Sequence, residues 1–156
     1  MPEALAWALG DAAATGAFGE ALGRAVDPPA CVLLRGGLGA GKTTLAQGVG
    51  RALGHGSLTS PTFALLMEHP GAVPVLHVDL WRLDAHELPG VGVEEALEGW
   101  PGVSLVEWGD RFPHVLPADH LDVSLADDGP GRRATVAARG PRSAAALARL
   151  AAARGA

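Results

Sequence analysis

An α/β layered fold with a mixed, partly antiparallel central sheet follows from three observations in this sequence of 156 residues. An apolar run at 30–34 leads directly into a glycine-rich octet and then a helical pattern at 44–53, the order of a strand–loop–helix unit. Two pairs of β-type runs are joined by short Pro/Gly turns at 69–72 and 127–131, which read as antiparallel hairpins. A further run, Val103-Ser104-Leu105-Val106, has the length and composition of a short buried strand. Hairpins interrupting the βα alternation make the sheet mixed rather than purely parallel.

The elements follow in order. Phe18, Leu22 and Val26 share one side of an amphipathic helix near 13–26, which Thr15 could begin and Asp27-Pro28-Pro29 ends. Ala30-Cys31-Val32-Leu33-Leu34 reads as a buried parallel strand. The helix over 44–53 stops at Gly54. Residues 64–68 and 73–79 form the first predicted hairpin, 87–98 one or two helical turns, and 120–125 with 133–138 the second hairpin. An alanine-rich helix over 143–153 closes the chain, with Ser143 as its expected N-cap. Neither an internal repeat nor a linker is visible, so one domain over 1–156 is expected, with 141–156 as a C-terminal helix or tail. A chain of this length buries about two-thirds of its unfolded surface, enough for a real core.

The octet Gly36-Gly37-Leu38-Gly39-Ala40-Gly41-Lys42-Thr43 matches the phosphate-cradling pattern G-x-x-x-x-G-K-[ST]. Its glycines allow successive backbone N–H groups to turn inward as an anion nest. Lys42 is the only lysine beside eleven arginines, a compact charge where the end of a triphosphate must be reached. Thr43 is placed to offer a hydroxyl to Mg2+, and the following helix aims its positive end at the phosphates. With a strand before it and a helix after it, an ordinary glycine-rich turn is the poorer reading. The octet and its flanks imply a P-loop NTPase-like three-layer fold and a nucleotide-binding protein.

Composition excludes several other classes. The net charge is −5 and the pI about 5.6, so there is no broad basic footprint for nucleic acid. The first residues lack the basic region of a secretory signal, and no apolar stretch approaches the ~20 residues needed to span a bilayer. The six histidines lack ligand spacing for zinc. Cys31, the single cysteine, falls in a core strand and is expected to be inert. These readings describe a soluble, cytoplasmic protein without membrane association.

A phosphate loop needs a second acidic group, usually at the end of a buried strand. Asp79 and Glu107 both qualify, and the strand patterns rank them only weakly. Glu107 is assigned to Mg2+, directly or through water, and Asp79 to positioning water or the metal shell. Ser60-Pro61-Thr62-Phe63 carries two hydroxyls that could reach a phosphate as a nucleotide-sensing switch does. Taken without context, it reads as a turn before a strand.

The ordered set of motifs resembles the bacterial TsaE family, the small ATPase of tRNA threonylcarbamoyladenosine biosynthesis. The resemblance rests on Leu38-Gly39-Ala40-Gly41-Lys42-Thr43-Thr44, Ser60-Pro61-Thr62-Phe63, His77-Val78-Asp79-Leu80-Trp81-Arg82-Leu83 and Leu105-Val106-Glu107-Trp108. Asp84-Ala85-His86-Glu87-Leu88 with Gly92, and Thr15-Gly16-Ala17-Phe18-Gly19 near the N-terminus, extend it over nearly the whole chain. It implies ATP bound with Mg2+, slow hydrolysis by the isolated protein, and action on the partner proteins TsaD and TsaB, with tRNA contacted only indirectly. Lys42, Thr43 and Glu107 take the phosphate and metal roles, and Asp79 matches an acid needed for activity. Residues 36–44 hold the nucleotide, Thr62 belongs to a switch-like loop, Trp108 lies beside the nucleotide, and Thr15 reaches it from the first helix.

Two positions depart from the family pattern. Gly37 stands where an acidic residue is usual, leaving the backbone nest intact. Trp81 stands where a tyrosine is usual, and core packing is expected of it. Two other classes remain as alternatives. A small-molecule kinase would need a lid of arginines, for which Arg82, Arg111, Arg132 and Arg133 are the candidates. A non-catalytic nucleotide-dependent binding module would need no catalytic acid. A GTPase is disfavoured, because the guanine-reading N-K-x-D motif needs a lysine and Lys42 is already used. Arg142, Arg149 and Arg154 are expected to solvate a final helix packed by Leu147 and Leu150.

Overall fold

The computed structural model describes residues 4–37, 39–58, 66–81 and 83–154. Leu38, Arg82 and the Ser60-Pro61-Thr62-Phe63 motif, with Thr62, lie outside the described residues. The first element, β1 (Ala4–Leu9), was not legible in the sequence. Its alternate residues are alanines, good helix formers and poor strand formers. Tertiary pairing overrides that propensity: Leu5, Trp7 and Leu9 face the core, and the Trp7 ring lies 5.3 Å from that of Phe18.

α1 (Ala12–Ala25) starts one residue before the expected position. Its cap is Asp11, whose Oδ1 accepts from Ala14 N–H at 2.8 Å. Thr15 therefore lies inside the helix, buried, with its hydroxyl donating to the Asp11 carbonyl. β2 (Ala30–Arg35) and α2 (Lys42–Ala52) flank the octet as expected, and Gly54 takes the left-handed conformation that ends α2 (φ +88°). β3 (Leu66–His69) and β4 (Val75–Asp79) form the first hairpin, and α3 (Leu88–Val91) and α4 (Val93–Glu98) are the short turns after it. β5 (Val103–Glu107) is followed by 3-10 turns at Gly109–Arg111 and Pro113–Val115. β6 (His120–Asp128), β7 (Gly131–Arg139) and α5 (Pro141–Arg154) complete the chain.

The seven strands form one sheet in the order β1-β7-β6-β2-β5-β4-β3. β6, β2, β5 and β4 run parallel, while β7, β1 and β3 join antiparallel, so the expected mixed sheet is present. Val32, Leu34, Val103 and Leu105 bury one face against Phe18, Leu22, Leu45, Val49, Leu147 and Leu150 from α1, α2 and α5. On the other face Leu76, Val78 and Val106 meet Leu88, Val93, Leu97, Phe112 and Val115. Helices and turns thus cover both faces of the β4–β5 half, which is the expected three-layer arrangement. α1 and α2 approach closely: a Cβ on Gly48 would fall 2.3 Å from the Gly16 carbonyl oxygen, so only glycine fits there. The phosphate-loop helix is therefore seated directly on α1.

At α5 the structure corrects the expected cap. Ser143 is buried in the third helical position, after Pro141 at the first. The cap comes from Asp119, just before β6, which accepts from the N–H groups of Arg142 (2.8 Å) and Ser143 (3.0 Å) and from the Ser143 hydroxyl. The three arginines of α5 do not simply solvate it. Arg149 donates to the Ala25 carbonyl at the end of α1, Arg142 to Asp27, and Arg154 to Ala6 on β1.

Burial alone would raise the Asp119 carboxyl, but the bonds from Ser143 and Arg142 outweigh it and hold it below the usual carboxylate range. Asp119→Ala should cost about 1 kcal/mol, as for a lost N-cap, measured by denaturant unfolding. Because the native pKa lies below the ordinary 3.8, the difference from wild type should be full at neutral pH. It should vanish as pH falls through the native pKa.

Candidate functional site

The site grows from the carboxyl ends of adjacent parallel strands, where open α/β sheets bind ligands. At the end of β2, Gly36, Gly39 and Gly41 take positive φ values of 154°, 78° and 103°. Gly41 starts α2 without any side-chain cap, leaving the helix's first N–H groups available to an anion. The Lys42 side chain folds back over the loop, and its Nζ donates to the Gly36 carbonyl at 2.9 Å.

β4 and β5 are paired so that Asp79 lies directly beside Glu107. Glu107 is also in register with Leu34 of β2, which brings its carboxylate under the loop. Lys42 Nζ stands 4.0 Å from Glu107 Oε1 and 3.9 Å from the centre of the Trp108 ring. Both charged side chains are buried, Lys42 at 6% and Glu107 at 7% exposure. Glu107 Oε2 accepts from His77 Nε2 at 2.7 Å. Burial raises the Asp79 carboxyl above its usual range, and the nearby Glu107 charge adds to this. The Trp81 N–H bond to Asp79 Oδ1, 2.9 Å long, opposes the rise in part.

An open cleft of about 420 Å³ results, lined by Gly39, Gly41, Lys42, Thr43, Thr44, Asp79, Glu107 and the pair Trp81–Trp108. A second recess of about 270 Å³ lies across the loop, lined by Asp11, Thr15, Ala40 and Arg132 and sharing Gly39, Gly41 and Thr44 with the cleft. Of the residues singled out in the sequence, Lys42, Thr43, Thr44, Asp79, Glu107 and Trp108 thus converge on the cleft, and Thr15 and Ala40 face the recess. Gly36 serves Lys42 through its carbonyl, and the Gly37 carbonyl accepts from Ala40 N–H. A Cβ at Gly37 would meet nothing within 4 Å, so the usual acidic residue could be accommodated there. A smaller, mostly apolar cavity of about 140 Å³ sits at the other end of β2 beside Cys31 and Asp119, away from all these groups. Burial pushes the Cys31 thiol up to about 11, consistent with an inert cysteine.

Trp81 corrects an expectation. It does not pack in the core but is 44% exposed at the mouth of the cleft, with its ring centre 4.3 Å from that of Trp108. Trp108 itself has φ 63°, a strained value for an aromatic residue, and this turns its indole back over Lys42. Arg111 fastens the arrangement by donating to the carbonyls of Leu80 and Trp81.

Two candidate lid arginines are therefore engaged with backbone: Arg111 as described, and Arg132 through the carbonyls of Ala40 and Gly39, both at 3.2 Å. Arg133 is exposed on β7. Sequence reasoning missed His77 as a partner of Glu107. The signal was its period-2 spacing from Asp79, which puts both on one face of β4.

Strand, glycine-rich loop and helix, with two acids at neighbouring strand ends, define the architecture of a phosphate-loop α/β protein. The family model described as threonylcarbamoyl adenosine biosynthesis protein TsaE matches residues 9–135, and the chain belongs to that family. It is 38% identical over 130 residues to the tRNA threonylcarbamoyladenosine biosynthesis protein TsaE of Nostoc sp., covering 80% of each chain. The protein of the same name from Synechocystis sp. is 40% identical over 112 residues, 69% of this chain and 71% of that one. The crystal structure of Bacillus subtilis YdiB superposes with a TM-score of 0.81 at 30% identity, covering 99% of this chain and 98% of that one.

The raised Asp79 carboxyl yields a stability test. Asp79→Asn keeps the oxygen that accepts from Trp81 and removes the half-buried charge, so its melting temperature should exceed that of wild type at neutral pH. The advantage should grow as pH rises from 3.8 through the native pKa and be absent below 3.8. Calorimetric melting across that range would read it.

Proposed function

We propose that this protein binds ATP with Mg2+ at the Lys42 cleft, hydrolyses it slowly alone, and acts with TsaD and TsaB in threonylcarbamoyladenosine modification of tRNA. The observation that carries the reading is the Lys42 ammonium, buried at the start of α2 beside the Glu107 carboxylate at the end of β5. The names of the relatives, all tRNA threonylcarbamoyladenosine biosynthesis proteins, support the pathway. The TsaD–TsaB pair follows from the family resemblance, and the net charge of −5 favours contact with tRNA only through those partners. A cytoplasmic setting belongs to the same reading. Among the described residues no helix is long and apolar enough to cross a membrane.

The donor set fits a magnesium–triphosphate. Among the described residues no three His, Cys, Asp or Glu side chains form an all-protein metal cage. Mg2+ bound through one or two protein oxygens and phosphate oxygens needs none. Thr43 and Glu107 would hold it, and when bound it would neutralise charge on the terminal phosphates. The backbone N–H groups of the loop and of α2 bind the phosphates, and Lys42 exchanges its bond to Gly36 for the terminal phosphate. Asp79, with its raised pKa, orients the attacking water from the neighbouring strand end. The second recess, beyond the loop from the acids, has the size and polar edge for a nucleoside. The engagement of Arg111 and Arg132 with backbone carbonyls weighs against the kinase alternative.

ATP turnover by the purified chain, alone and with TsaD and TsaB, tests the proposal. Stimulation or nucleotide-dependent co-migration is the expected result, and slow turnover indifferent to the pair would leave the partner assignment unsupported. Lys42→Ala should weaken ATP binding by about 1.5–3 kcal/mol in calorimetry, the worth of a charge-assisted contact. Wild-type affinity in that variant would remove the phosphate-loop assignment. Glu107→Ala should abolish the Mg2+ dependence of hydrolysis more than it weakens nucleotide binding.

A further inference from the structure

His77 is buried in the core at 1% exposure, with apolar neighbours on its strand and on both flanking strands and with the acids Asp79 and Glu107 at the end of the same sheet face. Val75 lies two residues earlier on β4, Leu105 is in register on β5, and Met67 is in register on β3. Among the described residues its Nδ1 is the one buried side-chain nitrogen or oxygen lacking a hydrogen-bond partner. A leucine or valine at this position would carry no such desolvation penalty. Core packing alone therefore does not account for an imidazole here.

The other ring nitrogen does. Nε2 lies 2.7 Å from Glu107 Oε2, and an ionised carboxylate only accepts, so Nε2 carries the hydrogen and donates it. Glu107 follows Leu105 by two residues on the same face of β5, so His77 and Glu107 are diagonal neighbours across the parallel pair. The bond occupies Oε2 from below the sheet end. Oε1 is left on the side of Lys42, 4.0 Å from its ammonium.

We propose that His77 is a positioning residue for Glu107. Its Nε2–H fixes the carboxylate so that Oε1 is presented to the cleft, where a cation or a polarised water is held. The proposal rests on the magnesium–nucleotide reading of the cleft. An imidazole bonded to a ligating carboxylate orients it and limits its rotation, the ordinary work of an outer-shell group. The orphaned Nδ1 is the cost that this orientation imposes on the core.

The full chain, His77→Leu and His77→Gln would be titrated with a non-hydrolysable ATP analogue by calorimetry, once with Mg2+ and once with a chelator. The leucine variant should melt below wild type, since Glu107 Oε2 loses its donor while staying buried, and its metal-free titration shows that it is still folded. It should bind the analogue normally without metal and lose about 10–100-fold in Mg2+-dependent affinity. Glutamine offers an N–H near the position of Nε2 and should restore most of that loss. An unchanged Mg2+ effect in His77→Leu, or a glutamine variant as impaired as leucine, would overturn the proposal. Nitrogen-15 NMR of the free wild-type protein reads the tautomer directly, and a proton on Nδ1 instead of Nε2 would also overturn it. A wild-type chain that fails to bind the analogue would sink the proposed function instead, with the tautomer measurement still deciding the His77–Glu107 bond.

Discussion

A buried ammonium must be compensated, and much of the functional half of this molecule is arranged around that requirement at Lys42. The charge is met by the Glu107 carboxylate, the Gly36 carbonyl and the face of the Trp108 ring. Each of these partners imposes a further constraint. Glu107 needs β5 between β2 and β4, with its terminal residue level with Leu34 and Asp79. Trp108 needs a left-handed backbone immediately after the strand. Gly36 needs a loop that doubles back, which its glycine conformations permit.

The rest of the fold holds those ends in place. α2 is seated on α1 through glycines where no Cβ fits, so the loop and Thr15 are carried on one rigid helix pair. Arg132 ties the β6–β7 hairpin to the loop carbonyls, and Arg111 ties the turn after β5 to the exit of β4. Arginine suits this work because its fork bonds two carbonyls at once. Such clamps are local and polar, whereas the two apolar clusters on either side of the sheet supply the bulk of the burial.

The cleft also has an unusual rim. Trp81 and Trp108 form a ring pair beside two acids and a lysine, and Trp81 remains exposed although it is among the largest apolar side chains of the chain. An aromatic surface at the mouth of a charged cleft shields the ion pair from water on that side. It thereby lowers the local dielectric and strengthens the interactions of Lys42 and Glu107.

The sequence alone determined the parts that depend on local chemistry. The octet, its flanking strand and helix, the two hairpins and both acidic strand ends are written in short-range patterns of glycine, proline and apolar period. The family could be read from the order of those motifs. Tertiary structure decided what depends on residues distant in the chain. β1 exists because β7 pairs with it, against the helical preference of its alanines. α5 is capped by Asp119, 24 residues before Ser143, so no local signature marked it. Trp81 faces the cleft because Trp108 and Arg111 hold it there, and residue type alone pointed to the core. His77 meets Glu107, 30 residues away, only through parallel strand pairing; its period-2 spacing from Asp79 marked the shared face but could not name the partner.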